Sequence, residues 1–98
     1  MIRQIFIAPV KEGVTEEEVQ TRMAEMRKLR EHVSGIEAIT VDKALGLYGI
    51  SNAVVMNIDL KNMDAWNALL ADEYHTWLGN TAGQYFSVDG FIAAQLEI

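Results

Sequence analysis

The apolar residues change their spacing several times along this chain, and the changing period narrows the folds open to it. From Asn52 to Leu60 they recur at every second position, with Val54, Met56, Ile58 and Leu60 pointing one way and Ala53, Val55, Asn57 and Asp59 the other. That is the period of a strand, whose successive side chains face opposite sides of a sheet. From Val19 to Val33 the repeat is every third or fourth residue, through Met23, Met26 and Leu29, which makes one stripe of a helix. A chain that alternates between these periods has to lay helices against a sheet.

In chain order, Ile2 to Val10 reads as a strand in which Ile5 and Ile7 alternate with Gln4, Phe6 and Ala8. Pro9 has no amide hydrogen and belongs at the strand's end or on an unpaired edge. Lys11-Glu12-Gly13 is a turn. Thr15 with Glu18 forms a capping box for a helix from Glu16 to Val33. Glu16, Glu17 and Glu18 at its start and Arg27, Lys28 and Arg30 near its end complement the helix dipole. Gly35 is expected to stop this helix in a left-handed conformation. Ile36 to Lys43 is a second strand, with Ile39 and Val41 on one face and Ala38 and Thr40 on the other. Ala44 to Ser51 reads as a loop with apolar tips. Its Gly46 and Gly49 lack the spacing of a phosphate-binding loop. After the strand ending at Leu60, Asn62 caps a helix whose stripe is Met63, Trp66, Leu69 and Leu70. The axis is expected to break over Asp72 to Tyr74, and Gly79 and Gly83 bound further short turns. Phe91 to Ile98 is the last strand.

The order is βαββαβ in a single domain over residues 1–98. With short connections this predicts an α+β fold, a ferredoxin-like antiparallel sheet with both helices on one face. The other face is then left open. Alternation puts Ile5 and Ile7, Ala53 and Val55, or else their neighbours, on it. An apolar patch across a whole sheet marks an interface, and a second copy packed by two-fold symmetry is the simplest cover. A homodimer is the expectation.

Composition excludes several classes of partner. Half of the 98 residues are apolar, enough for a real core. A net charge of −6 without a basic cluster argues against nucleic acid and anionic membranes. No apolar run approaches a membrane span, and the chain opens directly on a strand pattern, so no signal peptide is expected and the cytoplasm is the expected compartment. With no cysteine there is neither a disulfide nor a thiolate metal site. Asp72 and Glu73 beside His75 project in different directions from a helix, so no metal site is expected, and no cofactor motif is present.

Candidate chemistry concentrates in Met63 to Phe86. This quarter of the chain holds both tryptophans, Trp66 and Trp77, two of the three tyrosines and one of the two histidines. Large rings bury much apolar surface, and histidine is the side chain that titrates near neutral pH. The segment is expected to wall any pocket. Each residue also has a plainer role: Trp66 and Trp77 as core rings, and His75 bonding a backbone carbonyl at the helix break. His32, in the last turn of a helix, reads as structural or solvated; Tyr48 and Tyr85 could supply a phenolic donor, although an exposed tyrosine on a loop is ordinary.

Several of these stretches resemble the stress-responsive A/B barrel (Dabb) family. Ile2-Arg3-Gln4-Ile5-Phe6-Ile7 followed by Val10-Lys11-Glu12-Gly13-Val14-Thr15-Glu16-Glu17-Glu18 is similar to the family's opening strand, turn and acidic helix start. Gly35-Ile36 is similar to its lead into the second strand. Leu70-Ala71-Asp72-Glu73-Tyr74-His75, with Leu78-Gly79 after it, resembles the helix end where members carry a histidine. The resemblance implies a dimeric α+β barrel with an apolar pocket between sheet and helices. By it, Gln4, Phe6, Met56, Leu69, His75 and Leu78 would line that pocket, and Trp66 and Trp77 join them as candidate ligand contacts. Plant polyketide cyclases of the family use a histidine matching His75 and a tyrosine six residues earlier, where this chain has Leu69. Members also carry a histidine on the first strand, where Gln4 stands here. Only His75 of that apparatus is present.

Three functional classes follow: a homodimer that binds a small apolar or aromatic molecule, which the sequence favours; a cofactor-free cyclase-like or monooxygenase-like enzyme with His75 as general base; and an assembly module. An enzyme needs His75 facing a cavity with a second polar group in reach, and a binding protein needs only the cavity.

Overall fold

The structure, a computed structural model, describes residues 1–98. Four strands, β1 (Ile2–Pro9), β2 (Ile36–Lys43), β3 (Ala53–Leu60) and β4 (Ile92–Glu97), form one antiparallel sheet in the order β2-β3-β1-β4. Against one face lie α1 (Glu16–Arg27), the single turn α2 (Leu29–His32), α3 (Met63–Ala71) and α4 (Glu73–Thr81). This is the ferredoxin-like arrangement that the order of periods predicts.

Register assigns the faces. Phe6 pairs with Met56 on one side and Ala93 on the other, and Gln4 with Ile58 and Gln95. Side chains of paired residues share a face. Ile2, Gln4, Phe6 and Ala8 therefore join Val54, Met56, Ile58 and Leu60 under the helices. Ile5 and Ile7, opposite Asn57 and Val55 and flanked by Ala94 and Ile92, look outward. The covered side carries one continuous core to which α1 adds Val19, Met23 and Met26 and α3 adds Leu69. β4 is exposed along its whole length, because no helix reaches that edge.

Four local expectations change. Of the stripe Met63, Trp66, Leu69 and Leu70, only Leu69 is buried, and Met63 and Leu70 are more than half exposed. The first helix ends at Arg27; Lys28 closes it by donating its amide to the Glu25 carbonyl, three residues back, at 3.2 Å, and the separate turn α2 follows. Leu29 and Val33 still reach the core across this break. Gly35 is not left-handed, and the chain leaves the helix through an extended Val33 (φ −124°, ψ 107°). What Gly35 supplies is room: a Cβ there would run into the Cβ of Ala65 on α3. Finally, the last strand begins at Ile92. Phe91 turns inward, its ring edge-on to Phe6 at 4.9 Å.

The break in the second helix falls where expected. Asn62 accepts the Ala65 amide at 3.0 Å and starts α3. Asp72, in extended conformation, accepts the His75 amide at 2.9 Å and starts α4. The segment after α4 then folds back along the end of β1, where Val10 bridges Phe86 and the Ser87 amide bonds the Pro9 carbonyl. Phe86 is thereby buried. Between β2 and β3 the loop holds its apolar side chains out, with Tyr48 101% exposed.

Candidate functional site

Between β1 and the α1–α4 pair lies a cavity of about 150 Å³. The sheet contributes Gln4, Phe6 and Met56; α1 and α2 contribute Arg22, Met26 and Leu29; α4 contributes His75, Leu78 and Gly79. Ala82, Phe86 and Phe91 close the remaining side. The walls are mainly apolar, so the few polar groups decide what the cavity can recognise.

His75 is one of them. The cap at Asp72 sets the first turn of α4 and so fixes where the imidazole stands. The ring is half-buried, and its hydrogen-bonded contact with the cap is through the backbone amide, which leaves both ring nitrogens without a partner in the chain. Burial pushes its pKa below the ordinary 6.5, against a smaller upward pull from the Asp72 carboxylate. Desolvation disfavours the charged imidazolium, so the ring is neutral at pH 7 and able to accept a proton. The plainer alternative, a histidine held by a backbone carbonyl, does not occur.

Gln4 is the second polar group. Its side-chain oxygen accepts from the Gln95 amide at 2.6 Å, which leaves its own NH₂ free to donate. Arg22 is the third, and the sequence reading missed it. Only 2% of it is exposed. The available signal was phase: Arg22 stands three residues after Val19 and four before Met26, inside the apolar stripe of α1. Phe86 and Phe91 were missed because their inward turn depends on long-range bonds to β1 rather than on local spacing.

Of the residues singled out from sequence, Gln4, Phe6, Met56, His75 and Leu78 come together around this cavity, and three do not. Leu69, 1% exposed, packs within the core beside it. Trp66 borders a separate shallow hollow with Ile2, Met63 and Leu96. Trp77 is 40% exposed and lays its ring over the Arg22 guanidinium at 5.0 Å. α4 advances about 100° per residue, so Trp77 cannot face the same way as both His75 and Leu78. Tyr74 is also turned away, donating its hydroxyl to the Glu25 carbonyl at 2.6 Å and stacking on His32 at 4.1 Å. It ties α4 to the end of α1. No three His, Asp or Glu side chains converge as metal ligands would, and no helix is long and apolar enough to cross a membrane.

No protein-family model matches the sequence, and no curated protein does. Solved structures do match over nearly the whole chain. A dimeric ferredoxin-like protein from Thermobifida fusca superposes with a TM-score of 0.83 at 20% identity, over 99% of this chain and 90% of that one. The hydroxynitrile lyase of Passiflora edulis gives 0.85 at 8% identity, over 99% and 92%. A mutant of SnoaB, a cofactor-independent oxygenase from Streptomyces nogalater, gives 0.77 at 11% identity, over 99% and 91%. At these identities the likeness establishes the fold, which this chain shares with dimeric ferredoxin-like proteins and with enzymes that include a cofactor-independent one.

Proposed function

We propose that the protein is a cytoplasmic homodimer of the stress-responsive A/B barrel type that binds one small, largely apolar molecule between sheet and helices. The observation that carries this reading is the cavity, with aromatic and methionine walls and a neutral His75 whose ring nitrogens are unused. An assembly module would have filled that space with side chains. The open outer face and the dimeric neighbours support the homodimer.

A second reading is favoured by the state of His75. A neutral imidazole without an internal partner is ready to take a proton from an acidic carbon or a phenol, work that contributes about 10²–10⁴-fold to a rate. The Gln4 NH₂, in the same wall, is placed to donate to the oxygen on which negative charge would then develop. The hydroxynitrile lyase and the oxygenase among the structural neighbours give this reading its precedent within the fold. The phenol expected one and a half turns earlier is absent, since Leu69 is core, so any chemistry rests on His75 and Gln4.

An NMR titration of the His75 ring with and without small aromatic ligands tests both readings. A depressed pKa that moves on ligand addition supports the binding site. Turnover abolished by His75→Gln with binding retained would select the enzyme. An ordinary pKa that no ligand moves would remove the site.

A further inference from the structure

Arg22 is more buried than any other charged side chain of the protein, yet it is poorly satisfied. A guanidinium carries five N–H donors. Nη2 donates to the Thr81 hydroxyl at 2.6 Å, and Nη1 makes a long contact with the Leu78 carbonyl at 3.5 Å. Nε stands 3.5 Å from the Oε1 of Glu25, but the two do not form a hydrogen bond, and both atoms are buried without a partner. The Trp77 and Tyr85 rings lie 5.0 and 4.4 Å from the guanidinium carbon. Arg3 behaves differently on the outer face, meeting both oxygens of Asp59 at 2.7 and 3.0 Å although it is far more exposed. An ion pair within α1 that served only to hold the guanidinium would have every reason to adopt the Arg3–Asp59 geometry, because burying a charge is costly unless its donors are used. Donors left over on a buried cation in a cavity wall call for an acceptor that arrives from outside.

We propose that the ligand of the cavity is a small monocarboxylate with an apolar body of one ring, its carboxylate received by the Arg22 guanidinium. This rests on the cavity being a binding site. About 150 Å³ is the size of space that takes a benzene molecule. Phe6, Phe86 and Phe91 offer ring faces and edges, and the thioethers of Met26 and Met56 pack well against an aromatic body. A guanidinium matches a carboxylate in shape as well as in charge. His75 and Gln4 are then free to read a ring substituent. Glu25 opposes this ligand: its carboxylate competes for Nε and repels the incoming anion, so Glu25→Gln is expected to tighten binding.

Benzoate against benzamide, a neutral molecule of the same outline, separates the possibilities by NMR titration of the labelled protein. Benzoate is expected to bind at least about tenfold more tightly, as a charge-assisted contact should against a neutral one. It should also shift the Arg22 Nε–H resonance, which benzamide should leave nearly unmoved. In Arg22→Met, which keeps an unbranched apolar chain, the preference for benzoate over benzamide should vanish. Equal affinity for the two probes, or a preference for benzoate that survives Arg22→Met, overturns the carboxylate and leaves the cavity reading standing. If neither probe moves any cavity resonance, the cavity reading falls and this proposal with it. Should Arg22→Met fail to fold, the unaltered protein decides alone: an Arg22 Nε–H resonance unmoved by saturating benzoate refutes the contact.

Discussion

The two faces of the sheet are written in the same strands with the same period, and they meet different fates. On the covered face Val54, Ile58 and Leu60 are sealed by helices of their own chain. On the open face Ile5, Ile7 and Val55 have only each other and the flanking β4 side chains, of which Ile92 and Leu96 remain about half exposed. Polar groups divide accordingly. The open face satisfies its one ion pair outright, with Arg3 holding the Asp59 carboxyl below its ordinary pKa. The covered face keeps polar groups with unspent capacity, and they gather at the cavity. Alternation therefore tells which residues share a face, but not what covers it. One cover comes from the chain itself, and in the homodimer proposed above the other would come from a second copy.

Placing a charge on the open face tests that contrast most severely. Val55→Glu is expected to cost a dimer about 3–5 kcal/mol, the scale for an uncompensated buried charge, while leaving the covered core untouched. Light scattering should report a dimer for the unaltered protein and monomers or aggregates for the variant. A soluble monomer at micromolar concentration before any substitution would show that the open face needs no cover.

Next in size is a deletion on the covered side. Leu69→Ala removes a fully buried side chain beside the cavity and should lower unfolding stability by about 2–5 kcal/mol, read by denaturant titration at fixed protein concentration. The oligomeric state should not change, the reverse of the Val55→Glu result. Gly35→Ala probes the covered layer where helix and chain approach most closely. With the new Cβ driven into that of Ala65, the helix has to shift, at about 1–3 kcal/mol. Had Gly35 been needed for a left-handed turn, Gly35→Asn would be the milder change; since it is needed for space, Asn should be worse than Ala.

Most of the fold was legible because its signals are local. Thr15 with Glu18, Asn62 and the alternation through β3 each depend on residues within a few positions, and each forms as expected. Gly35 shows the limit: a glycine after a helix has two uses, and only the position of α3 distinguishes them. The site was less legible for the same reason. Gln4, Phe6, Met56 and Leu69 were all carried to the cavity by resemblance, and strand register bears out the first three while Leu69 packs in the core; Trp77, singled out from the concentration of rings, lies off it. Arg22 went unread because an arginine in an apolar stripe looks like a break in the stripe, when its burial is what gives the cavity a charge.

The smallest expected effect belongs to His75, and it places pH sensitivity on the covered face. The folded protein holds this pKa below the ordinary value, with burial the dominant cause. Above about 6.5, His75 is neutral whether the chain is folded or not and contributes no pH dependence. As pH falls below that value the unfolded chain takes up the proton first, so stability declines until pH has dropped past the folded pKa, and then levels. His75→Gln should flatten this segment of a stability–pH curve and leave the remainder parallel. Asp72→Ala sharpens the test. It removes the cap of α4, at about 1 kcal/mol across the whole pH range. It also removes the one carboxylate that pulls the His75 pKa upward, so the window of declining stability should extend to lower pH. A curve that shifts down uniformly on Asp72→Ala, with no widening of that window, would mean that the Asp72 carboxylate does not act on the imidazole. A wild-type curve with no such window would mean the imidazole is exposed to solvent rather than set in the cavity wall.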